Sequence, residues 1–237
     1  MEHSHPSILI ALATYNEIEN LPSLVAAIYQ QVPAADVLVI DDHSPDGTGQ
    51  WCEDWANQHP WFCIIHRNSK QGLGTAARLA IDYAIRHQYL WLVTMDADWS
   101  HSPQDLPTLL KTAENADVVV GSRYCEGGKI EGWPWHRRWI SRLLNKTSCS
   151  ILKLPVSDAS GAFRAYRVAR LEELPTDQLQ SKGYSYLEEL LWHLKHTTAT
   201  FVEVPIVFRD RQAGRSKASI QEVWGKLLTI LRLAFRR

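Results

Sequence analysis

The sequence predicts an α/β fold with a mostly parallel central sheet covered by helices. Short apolar runs alternate with amphipathic stretches from residue 8 onward, the runs are as uniformly hydrophobic as buried parallel strands, and the chemically capable polar residues gather just past them. Residues 8–13 read as a strand, 21–31 as a helix, 37–41 as a strand and 49–58 as a helix. Residues 62–66 then read as a strand, 74–87 as a helix, 90–95 as a strand, 106–114 as a helix and 118–121 as a strand. This alternation implies right-handed βαβ units, in which ligands bind beyond the carboxyl ends of the strands. The strand-to-helix loops are therefore where a site is expected.

Those loops carry a consistent chemistry. The fourth apolar run ends in Asp96-Ala97-Asp98, followed by Pro103 at the start of the next helix. Carboxylates at i and i+2 share a face of a strand and together suit a hard divalent cation, Mg²⁺ or Mn²⁺, that completes its shell with water and substrate phosphate oxygens. Tyr15 and Glu17 follow the first strand: a ring to stack on a nucleobase and a carboxylate to accept its amino hydrogens. Asp42 follows the second strand and is placed to accept from base or ribose. Each loop also has a plainer reading, Asn16-Glu17 as a helix cap and Ser44-Pro45-Asp46-Gly47 as a turn. The stretch Lys70-Gln71-Gly72-Leu73-Gly74-Thr75 is neither a Walker A loop nor a full dinucleotide fingerprint, and its glycines read first as a close approach of helix to sheet.

Composition narrows the partners. A chain of 237 residues with 45% hydrophobic and 22% charged residues is long enough to bury a large core, so global disorder is excluded. The net charge of −1 hides a split: 5 basic and 15 acidic residues in 1–120 leave −10, while 20 and 11 in 121–237 leave +9. The second half is thus suited to an anion. Cys52, Cys63, Cys125 and Cys149 are scattered without metal-binding spacing and read as reduced thiols of a cytoplasmic protein. No basic leader precedes the first strand, and no apolar run reaches transmembrane length.

In the basic half, residues 133–154 interleave Trp133, Trp135, Trp139, Ile140, Leu143 and Leu144 with Arg137, Arg138, Arg142 and Lys146. On a helix Arg137 and Ser141 share a face, so a guanidinium and a hydroxyl could grip one phosphate. Aromatic rings beside cations also suit a membrane interface; without a recognised nucleic-acid module, no nucleic-acid partner is expected. Residues 203–208 read as one strand, followed by a basic loop. The last helix, 219–237, places Ile220, Val223, Trp224, Leu227, Leu228, Leu231 and Phe235 on one face with Lys226, Arg232, Arg236 and Arg237 around it. That pattern fits either docking on the core or an interfacial helix on anionic lipid.

Taken together, Thr14-Tyr15-Asn16-Glu17, Asp41-Asp42-x-Ser44-Pro45-Asp46-Gly47-Thr48, Gly72-Leu73-Gly74, Asp96-Ala97-Asp98 and Gly121-Ser122-Arg123-Tyr124 resemble the inverting family 2 glycosyltransferases, and more narrowly the dolichyl-phosphate (polyprenyl-phosphate) mannosyltransferases. The resemblance continues through Gly127-Gly128-x-Ile130-x-Gly132-Trp133, Arg137-x-x-x-Ser141, Ser160-Gly161-Ala162-Phe163-Arg164, Glu203-Val204-Pro205-Ile206 and Phe208-x-x-Arg211-x-x-Gly214-x-Ser216-Lys217, in order along nearly the whole chain. It implies a GT-A type nucleotide-sugar-binding fold in a catalytic domain over residues 1–218, nucleotide-binding to about 121 and acceptor-binding beyond. It also implies inverting transfer of mannose from GDP-mannose to a polyprenyl phosphate. Tyr15, Glu17, Ile40 and Asp42 would hold the guanosine end; Asp96, Ala97 and Asp98 the sugar diphosphate, with Asp96 and Asp98 on the metal. Arg211 and Lys217 would meet the diphosphate, and Arg123, Arg137 and Ser141 the acceptor phosphate, with Asp98, Arg123 and Arg211 as the catalytic set. Two departures stand out: Ala13 replaces a common Pro, and Ser100 stands where some relatives supply Gln as a third metal ligand. A polyprenyl-phosphate glucosyltransferase using UDP-glucose and a catalytically silent nucleotide-sugar scaffold are the competing readings. The implied location is the cytoplasmic face of a membrane, with a separate membrane subunit as a further expected partner.

Overall fold

In the computed structural model, which describes residues 7–174, 179–181, 183–210 and 220–235, strand β1 (Ile8–Thr14) pairs in parallel with β2 (Ala35–Asp41) on one side and β4 (Trp91–Asp96) on the other. Beyond β2 lies β3 (Phe62–His66), also parallel. The helices α1 (Leu21–Gln31), α2 (Thr48–Ala56) and α3 (Leu73–Arg86) make the crossovers, and α4 (Leu106–Ala113) leads to β5 (Val118–Ser122). The predicted elements of this half are all present, within one or two residues at each end.

The sheet orders as β3-β2-β1-β4, then β7 (Arg164–Arg167), β5 and β8 (Phe201–Pro205). Strand β7 is the sole antiparallel member among the described strands of this sheet, wedged between β4 and β5. Sequence reasoning treated its residues as a motif and did not see the strand. Alternation along β1 sends Leu9 and Ala11 to one core and Ile10 and Leu12 to the other. Helices α1, α2 and α4 cover the second face. The first is covered by α3, α6 (Val168–Glu172) and α7 (Tyr186–Lys195), with the C-terminal turn of α5 (Trp135–Leu152) and one face of α8 (Ile220–Phe235).

Two expectations are corrected. Residues 203–208 do not form one strand: β8 pairs with β5 as far as Ser122↔Pro205, then Ile206 turns into the core, and β9 (Val207–Arg209) pairs instead with β6 (Lys129–Glu131) in a separate two-stranded sheet. Pro205 lacks an amide donor, so the ladder has reason to end there. For α8 it is the alternative of docking by the periodic apolar face that is corrected: among the described side chains Thr229, Ile230 and Leu233 are buried, while Leu228, Leu231 and Phe235 face outward. Polar bonds pin that choice, Arg232 to Glu189 of α7 (2.5 Å) and Thr229 to Ser185 (3.3 Å).

Candidate active site

A cleft of about 160 Å³ opens where β1, β2 and β4 end, lined by Tyr15, Glu17, Asp42, Asp96, Ala97 and Asp98 among others. Parallel strands deliver all three loops to one edge, which is why residues more than 80 positions apart in sequence meet here. Each of these loops contains a non-glycine residue in the left-handed region: Asn16 (φ 61), His43 (φ 60) and Trp99 (φ 63). For Asn this is a mild demand, but for Trp it is an unfavourable conformation held by its surroundings, including a bond from Trp99 Nε1 to Ser23 (3.2 Å).

At the ends of β1 and β2 the turn reading of Ser44-Pro45-Asp46-Gly47 holds, whereas the cap reading of Asn16-Glu17 is corrected: the N-cap of α1 is Asn20, without a side-chain capping bond. Asp41 accepts from Thr14 (2.9 Å) and from the Ser44 amide and hydroxyl, and Asp46 caps Thr48 and Ile18. Burial would raise the Asp46 pKa, but these bonds to Thr48 and Ile18 outweigh it and bring it below the usual carboxylate range. Glu17 accepts from Asn20 (2.9 Å) and still borders the cleft. Asp42 is buried against Arg67, whose guanidinium it pairs with, and accepts the Gly72 amide (3.3 Å). Sequence reasoning missed Arg67, because nothing in the stretch after β3 marks a cation as inward-facing. Lys70 lies 4.3 Å over the Tyr15 ring, so one face of that ring already carries a cation. The Ile40 side chain belongs to the core and does not line this cleft. Gly74 is required for close packing, but against a neighbour other than the expected sheet: a β-carbon there would collide with the Ser181 carbonyl and touch Tyr186 of α7.

The two carboxylates of Asp96-Ala97-Asp98 differ. Asp96 ends β4 half-buried, whereas Asp98 is almost fully enclosed and accepts the Ser100 amide (3.1 Å) and hydroxyl (2.5 Å). Ser100 thus turns back on Asp98 as an orienting donor. His101 is buried beside them; its Nδ1 accepts the Asp96 amide hydrogen (3.2 Å), and its ring lies between Phe163 and Phe208. Burial pushes its pKa down to about 4, so the imidazole is neutral and its 3.7 Å approach to the Asp96 carboxylate is no ion pair.

On the other side, Arg123 is buried and clasped by Asp158 through Nε (2.7 Å) and Nη2 (2.8 Å), with Ser160 as a further acceptor (2.7 Å). Burial disfavours its charge, but the Asp158 carboxylate prevails and raises its pKa; Asp158, which burial alone would raise, is pulled down to about 2 by Arg123. Asp158 was not singled out from sequence, although it stands two residues before the Ser160-Gly161-Ala162-Phe163-Arg164 motif. Arg137 and Ser141 share α5 but have separate partners: Arg137 stacks on Trp133 (3.9 Å) and meets Asp210 at 3.6 Å, while Ser141 bonds the Tyr124 hydroxyl (2.7 Å). Arg211 and Lys217 lie outside the described residues.

A family model for glycosyl transferase family 2 matches residues 9–174. The chain belongs to this family. It is 40% identical over 213 residues to a polyprenol monophosphomannose synthase of Mycolicibacterium smegmatis, covering 89% of this chain and 80% of that protein. Against an undecaprenyl-phosphate mannosyltransferase of Micrococcus luteus it is 40% identical over 212 residues, covering 90% and 87%. Among solved structures, glucosyl-3-phosphoglycerate synthase from Mycobacterium tuberculosis superposes with a TM-score of 0.71 at 17% identity, over 98% of this chain and 80% of that one. A mannosyltransferase from Pyrobaculum calidifontis in complex with GDP-Man and Mn²⁺ gives 0.62 at 19%, over 99% and 66%. At such identity the structural likeness speaks for the shared GT-A type fold alone, and this family 2 transferase has that fold.

Proposed function

We propose that this family 2 transferase moves mannose from GDP-mannose to a polyprenyl phosphate with inversion at the anomeric carbon. The observation that carries the reading is the juxtaposition of a cleft at the carboxyl ends of the parallel strands, ending in Asp96 and Asp98, with a second, basic side built on Arg123 and α5. The names of the two 40% identical relatives supply the sugar and the acceptor class.

Tyr15, Glu17 and Asp42 bind the nucleoside, and Ala97 lets the diphosphate approach the strand end. Among the described residues no group of three carboxylates, histidines or cysteines is arranged to hold a metal ion, and the nearby His101 Nδ1 already accepts the Asp96 amide hydrogen. The two-carboxylate oxygen set of Asp96 and Asp98 fits Mg²⁺ or Mn²⁺ finishing its shell with diphosphate and water. When bound, such a cation supplies charge stabilisation to the departing diphosphate. Arg211 and Lys217 add to this. An acceptor phosphate is already anionic near neutral pH, so no strong general base is needed, and Arg123, Arg137 and Ser141 orient it for attack. No described helix is long and apolar enough to cross a membrane. The exposed Trp135, Trp139, Ile140 and Leu143 of α5, beside Leu228, Leu231 and Phe235 of α8, support attachment at the cytoplasmic membrane surface, where the acceptor lipid resides.

The test is a transfer assay with purified protein, Mn²⁺ or Mg²⁺ and a short polyprenyl phosphate, run in parallel with GDP-mannose and UDP-glucose. Mannose-lipid formation abolished by EDTA is the expected result. Product from UDP-glucose alone would replace the donor, and nucleotide binding without any product would make the chain a silent binder.

A further inference from the structure

The buried aromatic slot between Phe163 and Phe208 holds a histidine where a phenylalanine would fill the same space. His101 is 1% exposed, and its Nε2 is buried without a hydrogen-bond partner among the described residues. Because Nδ1 accepts the Asp96 amide hydrogen, the proton of the neutral ring sits on Nε2, so the structure keeps an unsatisfied N–H in its interior. A desolvated donor of this kind is unfavourable, and some other contact of the ring must offset it.

That contact is at the sheet. Strand β4 pairs with β7 only over Trp91–Thr94, opposite Arg164–Arg167. Past Thr94 the antiparallel ladder has stopped, its last lateral bond passing from the Thr94 hydroxyl to the Ala162 carbonyl (2.6 Å). The Asp96 amide therefore has no strand acceptor on that side, and His101 Nδ1 takes the place of one. Phenylalanine would pack equally well but would leave the peptide of Asp96 untethered at the point where its carboxylate enters the cleft.

We propose that His101 is a positioning residue: it extends the β4 ladder by one imidazole acceptor, fixing the Asp96 peptide so that its carboxylate is preset for the divalent cation and the sugar diphosphate. This rests on the proposed donor site. Outer-shell partners of metal carboxylates typically carry about 10–100-fold in metal affinity.

Two substitutions separate packing from tethering. His101→Phe keeps the ring and removes the acceptor; His101→Asn removes the ring and places an amide oxygen near the position of Nδ1. Binding of Mn²⁺ in the presence of GDP is measured by the loss of the free-Mn²⁺ electron paramagnetic resonance signal, and folding by thermal melting. His101→Phe is expected to melt within a few degrees of wild type yet bind Mn²⁺·GDP about tenfold or more weakly. His101→Asn is expected to melt lower yet bind within about threefold of wild type. Wild-type affinity in His101→Phe, or equal weakness in both variants, would overturn the tether while leaving the donor site standing. A wild-type protein that takes up no Mn²⁺ with GDP would overturn the donor site and the tether with it.

Discussion

At the end of β4 the two carboxylates are held by near neighbours in sequence, whereas Asp41 and Asp42 at the end of β2 also take the remote partners Thr14 and Arg67. Ser100 orients Asp98 from two residues away, His101 tethers Asp96 from five, and Ser44 binds Asp41 from three. On the side built by β5 and α5 the partners are remote, Asp158 for Arg123 at 35 residues and Asp210 for Trp133 at 77. Local bonds form with the turn itself and leave the fold intact when altered, whereas a remote buried pair such as Arg123–Asp158 is part of what holds distant segments together. Substitutions at Asp96 and Asp98 should therefore cost chemistry before stability, and those at the buried Arg123–Asp158 pair the reverse.

The sharpest test of that contrast is Asp158→Ala. It strands the buried Arg123 guanidinium, so a destabilisation of about 3–5 kcal/mol is expected by urea unfolding. A change under about 1 kcal/mol would mean that Arg123 finds solvent or another partner, and the two sides would not differ. Asp98→Ala comes next, with an expected turnover loss of about 10²–10³-fold and a melting temperature within a few degrees of wild type. Near-normal transfer by that variant would remove Asp98 from the site.

Acid titration sharpens the comparison further. The Asp158 carboxylate has a folded pKa of about 2 against an ordinary 3.8, so its stabilisation is present above about pH 4 and is lost as pH falls toward 2. That loss amounts to about 2 kcal/mol. Wild-type unfolding free energy should show this slope, and Asp158→Asn should lack it. Arg137, stacked on Trp133 and only loosely paired with Asp210, should behave unlike Arg123: Arg137→Ala is expected to cost less than about 1 kcal/mol in stability while raising the KM for polyprenyl phosphate. The smallest effect is expected for Trp135→Ser combined with Trp139→Ser, which should weaken flotation with anionic vesicles severalfold and leave transfer to a short, water-soluble acceptor unchanged.

The strands, their crossovers and the carboxylates at their ends were legible because they depend on local signals: hydrophobic runs, turn chemistry and a two-residue spacing that keeps Asp96 and Asp98 together. The family resemblance was legible because its motifs fall in order along the chain. The partnership of Arg123 with Asp158 was not, since it exists only because β7 enters antiparallel between β4 and β5 and the chain leading into it carries Asp158 under β5's exit. The same holds for Arg67, turned inward onto Asp42 from the loop after β3.

The sequence by itself determined an acidic edge on a parallel sheet and a basic, aromatic second half, because periodicity and composition act over a few residues. Only the tertiary structure decided which cations are buried and spoken for, which face of α8 meets the core, and that His101 completes the hydrogen bonding of Asp96. Each of those depends on where a distant segment comes to rest, and burial, which sets the strength of a charge or the need for a hydrogen bond, is a property of the packed chain.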